Sequence, residues 1–314
     1  MHVVLVGPGA LGCLLSSRLT RGDRDGEHCF TLLDHNAKRA NMLAAKGIRY
    51  HYKDEVEESA ISVSSTPSET GLADVVILCV KSYDLKGCLG FCSPLLGPDT
   101  LLLFLQNGVA HLEAQIPDHY GTPAFGTTTE GANLLETGQV RHAGKGLTQF
   151  GFLKEVSNEA MEKLQQVTEL FNQSGLKARM TDDILSRLWT KLMVNTGING
   201  LTAILGCTNG ELLTLPGAAA RMERLVEEAL KVALASNIYV PPDSLAITKD
   251  VCAKTATNIS SMLQDVRAGR RTEIDAINGA VVAAARKLGM FSPENMKLVA
   301  EVKELERSYL PPGR

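Results

Sequence analysis

An α/β domain followed by an all-α domain is what this sequence predicts, on three observations. Short apolar runs of the kind that make buried parallel strands recur through the first half and alternate with helical patterns. The first of these runs feeds directly into Gly7-Pro8-Gly9-Ala10-Leu11-Gly12 and then an apolar helix. Strand patterns largely stop after Met180, and from Asp182, with Thr181 as its cap, the chain reads as helices. The expected division is 1–181, a doubly wound Rossmann-type dinucleotide-binding domain, and 182–314, a helical substrate or catalytic domain.

The opening strand, His2-Val-Val-Leu-Val, is short and apolar, and the glycines after it stand where a pyrophosphate turn needs them. Gly7 permits the turn, Gly9 lets backbone approach a phosphate, and Gly12 allows helix and strand to pack closely. The helix that follows offers free N–H groups and a positive dipole end. The second strand, Cys29-Phe-Thr-Leu-Leu-Asp34, ends in an acid placed to bond an adenosine-ribose 2′-hydroxyl, which favours NAD over NADP. Asp34 equally suits a cap for a helix starting near Asn36. Lys38 and Arg39 suit a 2′-phosphate, so coenzyme choice stays open.

Residues 47–64 read as a pair of edge strands with charged interruptions. Ala73-Asp-Val-Val-Ile-Leu-Cys-Val80 is a buried strand, and Lys81 stands at its carboxyl end, where ligands gather in such folds. A solvated lysine is the plainer reading. Thr100-Leu-Leu-Leu-Phe-Leu105 runs into Gln106-Asn107-Gly108, which puts Asn107 at a strand terminus, although Asn-Gly is also a common turn signal. Pro123 to Glu130 repeats the pattern of strand and polar tip, and 140–152 reads as a terminal hairpin.

In the second half, Lys191, Asn195 and Asn199 are spaced four apart in an otherwise apolar helix. Each step of four drifts by only about 40°, so the three polar tips share one face. An ammonium and two amides on a buried helix need partners. Either they satisfy one another and nearby backbone, or they face an anionic, oxygen-rich ligand. Further helices are expected over 217–236, 244–263, 271–288 and 293–306, with a frayed tail over 310–314. That pattern would put Asn258 and Ser261 on one helix face. It would make Glu273 a first-turn acid answering the helix dipole behind a capping Thr272.

Bulk composition narrows the class. The chain is 44% hydrophobic and 21% charged, without an apolar run of membrane-spanning length. A net charge of −3 argues against nucleic acid as a partner. Seven scattered cysteines without a CxxC pair read as reduced thiols in a cytoplasmic protein, and no metal-ligand spacing occurs. The chain starts on a strand, so no targeting segment is expected. The alanine-rich helical half is compatible with a homodimer surface or with ordinary core.

GPGALG at 7–12, VK at 80–81, QNG at 106–108, GTTTEGA at 126–132, the K-x3-N-x3-N row at 191–199, NGEL at 209–212, Asn258-Ile-Ser-Ser-Met-Leu-Gln-Asp265 and TEID at 272–275, in this order, resemble the ketopantoate reductase family (2-dehydropantoate 2-reductase). The resemblance covers most of the chain. GxGxxG is shared by many families, whereas the Lys/Asn/Asn row followed by SSMLQD and TEID is far more specific.

The resemblance implies reduction of ketopantoate, a small 2-keto acid, to pantoate by hydride from NAD(P)H, in pantothenate and coenzyme A biosynthesis. It implies Lys191 as general acid, with Glu273 beside it and near the coenzyme. Asn107, Asn195, Asn199, Asn209 and Ser261 would bind the substrate. The Gly7–Gly12 loop, Lys81, Asn107, Ala132 and Glu273 would line the coenzyme. NADP is the family's expectation, but the family commonly has Arg where this chain has Asp34, and a carboxylate repels a 2′-phosphate. NAD therefore stays open beside it. Two other readings stand next to this one: a related dehydrogenase for another small 2-keto acid, and a dinucleotide-sensing protein without turnover. The last should have lost its general acid, yet Lys191 is present. Burial would push the lysine pKa down and Glu273 would pull it up; the net sign is not legible in sequence.

Overall fold

The computed structural model describes residues 1–23 and 25–311; positions 312–314 of the expected frayed tail lie outside the described residues. Two compact units form, Met1–Gln106 with Ala114–Ile184, and Asn107–Glu113 with Leu185–Arg314. The short segment after Gln106 thus packs with the helical unit.

In the first unit, β1 (His2–Val6) leads through the glycine turn into α1 (Ala10–Gly22), then β2 (Cys29–Leu33), α2 (Ala37–Lys46), β3 (Ile48–Tyr52), β4 (Glu55–Ser59) and β5 (Ser62–Ser64). β6 (Val75–Leu78), α3 (Leu85–Cys92), β7 (Leu101–Phe104), β8 (Thr122–Thr128), β9 (Gly131–Glu136), β10 (Gln139–Gly144), β11 (Thr148–Gly151), α4 (Asn158–Gln173) and β12 (Ala178–Met180) complete it. The main sheet has eight strands in the order β12-β11-β8-β7-β6-β1-β2-β5. Strands β5, β2, β1, β6, β7 and β8 run parallel, and β11 pairs antiparallel with β8. Strands β1, β6 and β7 are buried on both faces, which is why they read as unbroken apolar runs. The chain steps from β1 to β2 on one side and later to β6 on the other. That reversal opens a crevice at the carboxyl ends of the strands, where the glycine turn lies.

Two expectations need correcting. Residues 47–64 hold three strands, not an edge pair: β3 lies inside a separate four-stranded sheet, β4-β3-β10-β9, while β5 edges the main sheet. The terminal hairpin over 140–152 does not form either. β10 pairs with β9 and β3, and β11 with β8 and β12, in different sheets. Alternation specifies which side chains face inward, but it does not name the partner strand. A buried polar chain helps decide the pairing. Tyr50 Oη and His142 Nδ1 are 2.7 Å apart, and His142 Nε2 lies 2.5 Å from Glu130 Oε2.

The second unit is built on α5 (Ile184–Leu205), with α6 (Ala218–Ala235), α7 (Ser244–Lys254), α8 (Ser261–Arg267), α9 (Asn278–Lys287) and α10 (Pro293–Arg307). α5 begins at Ile184, and the Thr181 hydroxyl accepts from the Asp183 N–H at 3.3 Å. Small residues seat this helix closely. A Cβ on Gly197 would fall 2.9 Å from both Thr248 Cγ2 and Val226 Cγ2, and one on Gly200 would fall 2.7 Å from Leu298 Cδ2. Glu228 of α6 accepts from the Glu294 and Asn295 N–H groups at 2.9 and 3.0 Å, an anion answering the start of α10.

The helices expected over 244–263 and 271–288 are both shorter than their patterns. α7 stops at Lys254 because the carbonyls of Ala256 and Asn258 accept from Gly210 and Asn209, and Ser260 then caps α8 through the Leu263 N–H. Asn258 therefore lies in the connection, not on a helix face with Ser261. Over 271–277 the chain turns instead of coiling, held by Thr272 N–H to Glu306 Oε1 at 2.6 Å. Glu273 is accordingly not a first-turn acid.

Candidate active site

In the first unit the glycine turn has the shape that its sequence implies. Gly7 takes φ +98°, a conformation that suits glycine, and its N–H donates to Leu33 O at 3.0 Å, tying the turn to the end of β2. A Cβ on Gly12 would stand 2.0 Å from the Gly7 carbonyl oxygen. Gly9 is exposed and a Cβ there would meet nothing within 4 Å, so bare backbone faces open space at the start of α1. Pro8 is buried, and its carbonyl accepts from Cys13 Sγ at 3.4 Å, while Leu11 packs on the core and Ala10 opens the helix. This cradle fits a dinucleotide pyrophosphate: free N–H groups and a dipole end, with no side chain in the way. Lys81 is half-buried just past β6, before a short turn at Ser82–Asp84, and Ala132 is half-buried on β9.

Asp34 lies at the end of β2 with its side chain wholly buried. Its Oδ2 accepts from Arg39 Nε at 2.5 Å, and its Oδ1 accepts from Arg39 Nη2 at 2.6 Å and from the Asn36 N–H at 3.0 Å. The cap of α2 is Asn36, whose side chain accepts from the Arg39 N–H.

The polar row of the second unit converges with two other elements. Lys191 Nζ donates to Asn107 Oδ1 at 2.9 Å, and Asn107 Nδ2 donates to Glu273 Oε2 at 3.2 Å. One amide thus links an ammonium from α5 to a carboxylate from the 271–277 turn. Asn107 holds its place because the next residues are pinned on that turn: Val109 N–H donates to Ala276 O at 3.3 Å, and a Cβ on Gly108 would fall 1.9 Å from the same oxygen. Glu273 is buried, and Lys191 and Asn195 are partly so. Burial pushes the Lys191 pKa down to about 8 against the opposing charge of Glu273.

Asn199 is buried one turn beyond Asn195. Asn209 is buried too and braces the 255–258 connection, donating from Nδ2 to Thr255 Oγ1 at 2.9 Å. Ser260 is engaged as a cap and accepts from Thr202 Oγ1 at 2.7 Å, which leaves Ser261 as the exposed member of the pair. Sequence reasoning missed His111, buried four residues beyond Asn107. Desolvation lowers its pKa to about 4, with Glu273 opposing and Lys191 reinforcing the shift, so a neutral imidazole stands near the pair. Its only signal is proximity to the Asn-Gly turn. Among the described residues no group of three or more His, Cys, Asp or Glu side chains could hold a metal, and no helix is long and apolar enough to cross a membrane.

Residues 3–155 match the family model described as Ketopantoate reductase PanE/ApbA, and residues 183–306 match that of its C-terminal part. A 2-dehydropantoate 2-reductase of Halobacterium salinarum is 36% identical over 292 residues, 91% of this chain and 92% of the relative. The crystal structure of a PanE/ApbA family ketopantoate reductase from Ralstonia eutropha JMP134 superposes with TM-score 0.87 at 29% identity, covering 98% of this chain and 99% of that one. The ternary structure of D-mandelate dehydrogenase with NADH and anilino(oxo)acetate does so with TM-score 0.89 at 27% identity and the same coverage. Matched by family models along both halves and by full-length relatives, this chain belongs to the ketopantoate reductase family.

Proposed function

We propose that this chain reduces 2-dehydropantoate to pantoate at the expense of NADH or NADPH, with Lys191 as the proton donor. The observation that carries the reading is the Lys191–Asn107–Glu273 array, in a chain whose full-length relatives are 2-dehydropantoate 2-reductases. A bound dihydronicotinamide supplies the hydride. As it arrives, negative charge grows on the substrate's carbonyl oxygen, and an ammonium there stabilises the charge and then quenches it with a proton. A lysine near its ordinary pKa is a weak acid for this task. Burial makes Lys191 a stronger one, while Glu273 keeps it charged at neutral pH.

Asn107 commits one ammonium N–H and so fixes where the others point. Asn195, Asn199, Asn209 and Ser261 are assigned to the substrate's carboxylate and hydroxyl, and the Gly7–Gly12 turn, Lys81 and Ala132 to the coenzyme. Residues 1–181 would carry the coenzyme and 182–314 the substrate chemistry, with 107–113 working alongside the latter. The assigned compartment is the cytoplasm.

The test is turnover: coenzyme oxidation followed at 340 nm with 2-dehydropantoate and with a panel of other 2-keto acids, phenylglyoxylate among them. Oxidation fastest with 2-dehydropantoate is expected. A protein that binds coenzyme but turns over no 2-keto acid is a binding protein and ends this reading.

A pH profile tests the acid. The reduction needs Lys191 protonated, so kcat/KM should stay level up to about pH 8 and then fall about tenfold per pH unit. Glu273 raises the Lys191 pKa, so Glu273→Gln should move that bend to lower pH. A bend that stays in place or moves upward would separate Glu273 from the acid.

A further inference from the structure

We propose that His111 acts through Lys191 as a proton relay, returning a proton to the lysine after each reduction. The inference rests on the reading above, in which Lys191 protonates the alkoxide and is left as a neutral amine. That amine must regain a proton before the next cycle. Asn107, which holds the ammonium at 2.9 Å, has none to give, and the Glu273 carboxylate beyond it only accepts. An imidazole takes up a proton at one nitrogen and gives one from the other near neutral pH. His111 lies four residues past Asn107 and is 2% exposed. Its segment belongs to one compact unit with Lys191 and Glu273, and is pinned to the 271–277 turn by Val109 N–H and Ala276 O. Ala110 and Glu113 beside it are exposed, so the ring is buried on a stretch of chain that otherwise runs at the surface.

The charges acting on the ring change during the cycle. Glu273 acts from the turn and Lys191 from α5, while Glu113 on the ring's own segment is exposed and paired with Lys287 of α9. At rest, desolvation and the ammonium both hold the His111 pKa down, and Glu273 opposes them. The imidazole is then neutral and does not compete with Lys191 for the carboxylate. Once Lys191 has given up its proton, the ammonium's effect vanishes and that of Glu273 remains, so the proton affinity of His111 rises at that moment. A solvent proton adds to the ring, and the imidazolium then passes a proton to the Lys191 amine. Imidazole and ammonium are both restored, no electrons move, and each cycle takes up the one proton that the alcohol carries away.

The experiment compares the first turnover with the later ones. Stopped-flow mixing at neutral pH, with enzyme and reduced coenzyme in excess over 2-dehydropantoate, reads a single turnover. In His111→Ala this rate should match wild type, because Lys191 starts out protonated below its pKa of about 8. Steady-state kcat should fall at least about tenfold, since proton return then limits every later cycle. Imidazole added to the buffer should restore most of that loss. His111→Gln, which keeps a polar tip without a titratable nitrogen, should show the same split and serves where the alanine variant does not fold. A folded variant with wild-type kcat would overturn the proposal. So would a single-turnover rate that falls together with kcat, or a loss that imidazole leaves unrepaired, because the ring would then merely support Asn107. Wild type that turns over no 2-keto acid ends the reading beneath, whereas wild-type turnover with no split in the variants ends the relay alone.

Discussion

Lys191→Ala lowers kcat for 2-dehydropantoate reduction by at least about a hundredfold, the usual scale for losing a general acid. Coenzyme affinity should fall far less, because the Gly7–Gly12 turn assigned to the pyrophosphate is shaped by its own glycines and the end of β2, without the lysine. The loss has two parts. The cation that answers the developing oxyanion disappears, and so does the proton that quenches it. Lys191→Arg separates them: arginine keeps the charge but hardly gives up a proton, so it should recover only the electrostatic share. Stopped-flow measurement of coenzyme oxidation, beside a coenzyme titration, reads both quantities. A Lys191→Ala protein that turns over near the wild-type rate would remove the lysine from this role.

Gly12→Ala is expected to abolish detectable coenzyme binding and to lower Tm. The added methyl would stand 2.0 Å from the Gly7 carbonyl oxygen and 3.4 Å from Cys79 Cβ. The first neighbour is backbone of the pyrophosphate turn and cannot step aside as a flexible side chain would. Either the turn shifts or α1 backs away from β1, and both spoil the cradle. Overpacking of this kind costs about 1–3 kcal/mol, which in a chain of this size corresponds to a Tm loss of several degrees, roughly 2–10 °C. Gly9→Ala is the informative control for folding, because a Cβ there meets nothing within 4 Å of the chain. It should fold like wild type and lose affinity only through crowding of the phosphates. Equal coenzyme binding by Gly12→Ala and wild type would show that the turn does not hold the dinucleotide.

Much of the architecture is legible because it follows from local chemistry. Strands buried on both faces must be apolar throughout, so β1, β6 and β7 announce themselves. A glycine turn between strand and helix leaves little choice of geometry, and spacing by four puts Lys191, Asn195 and Asn199 on neighbouring turns of one helix. Where reading fails, the deciding partner is distant in sequence. The pattern over 244–263 is helical throughout, yet the chain breaks at 255–260 because Asn209 and Gly210 take the carbonyls of Asn258 and Ala256. The pattern over 271–288 loses its first turns to Glu306 in the same way.

Three matters were determined by sequence alone: the α/β-then-helical order, the glycine cradle and the polar row, since each depends on residues within a few positions of one another. Tertiary structure decided the rest. It brought Asn107 and Glu273 to Lys191 from positions far along the chain, and it set the sign of the lysine's pKa shift, because desolvation depends on everything packed around the ammonium. It also covered Asp34 with Arg39, whose guanidinium occupies both oxygens of the buried carboxylate. A side chain's identity is local, but its burial and its partners belong to the whole fold.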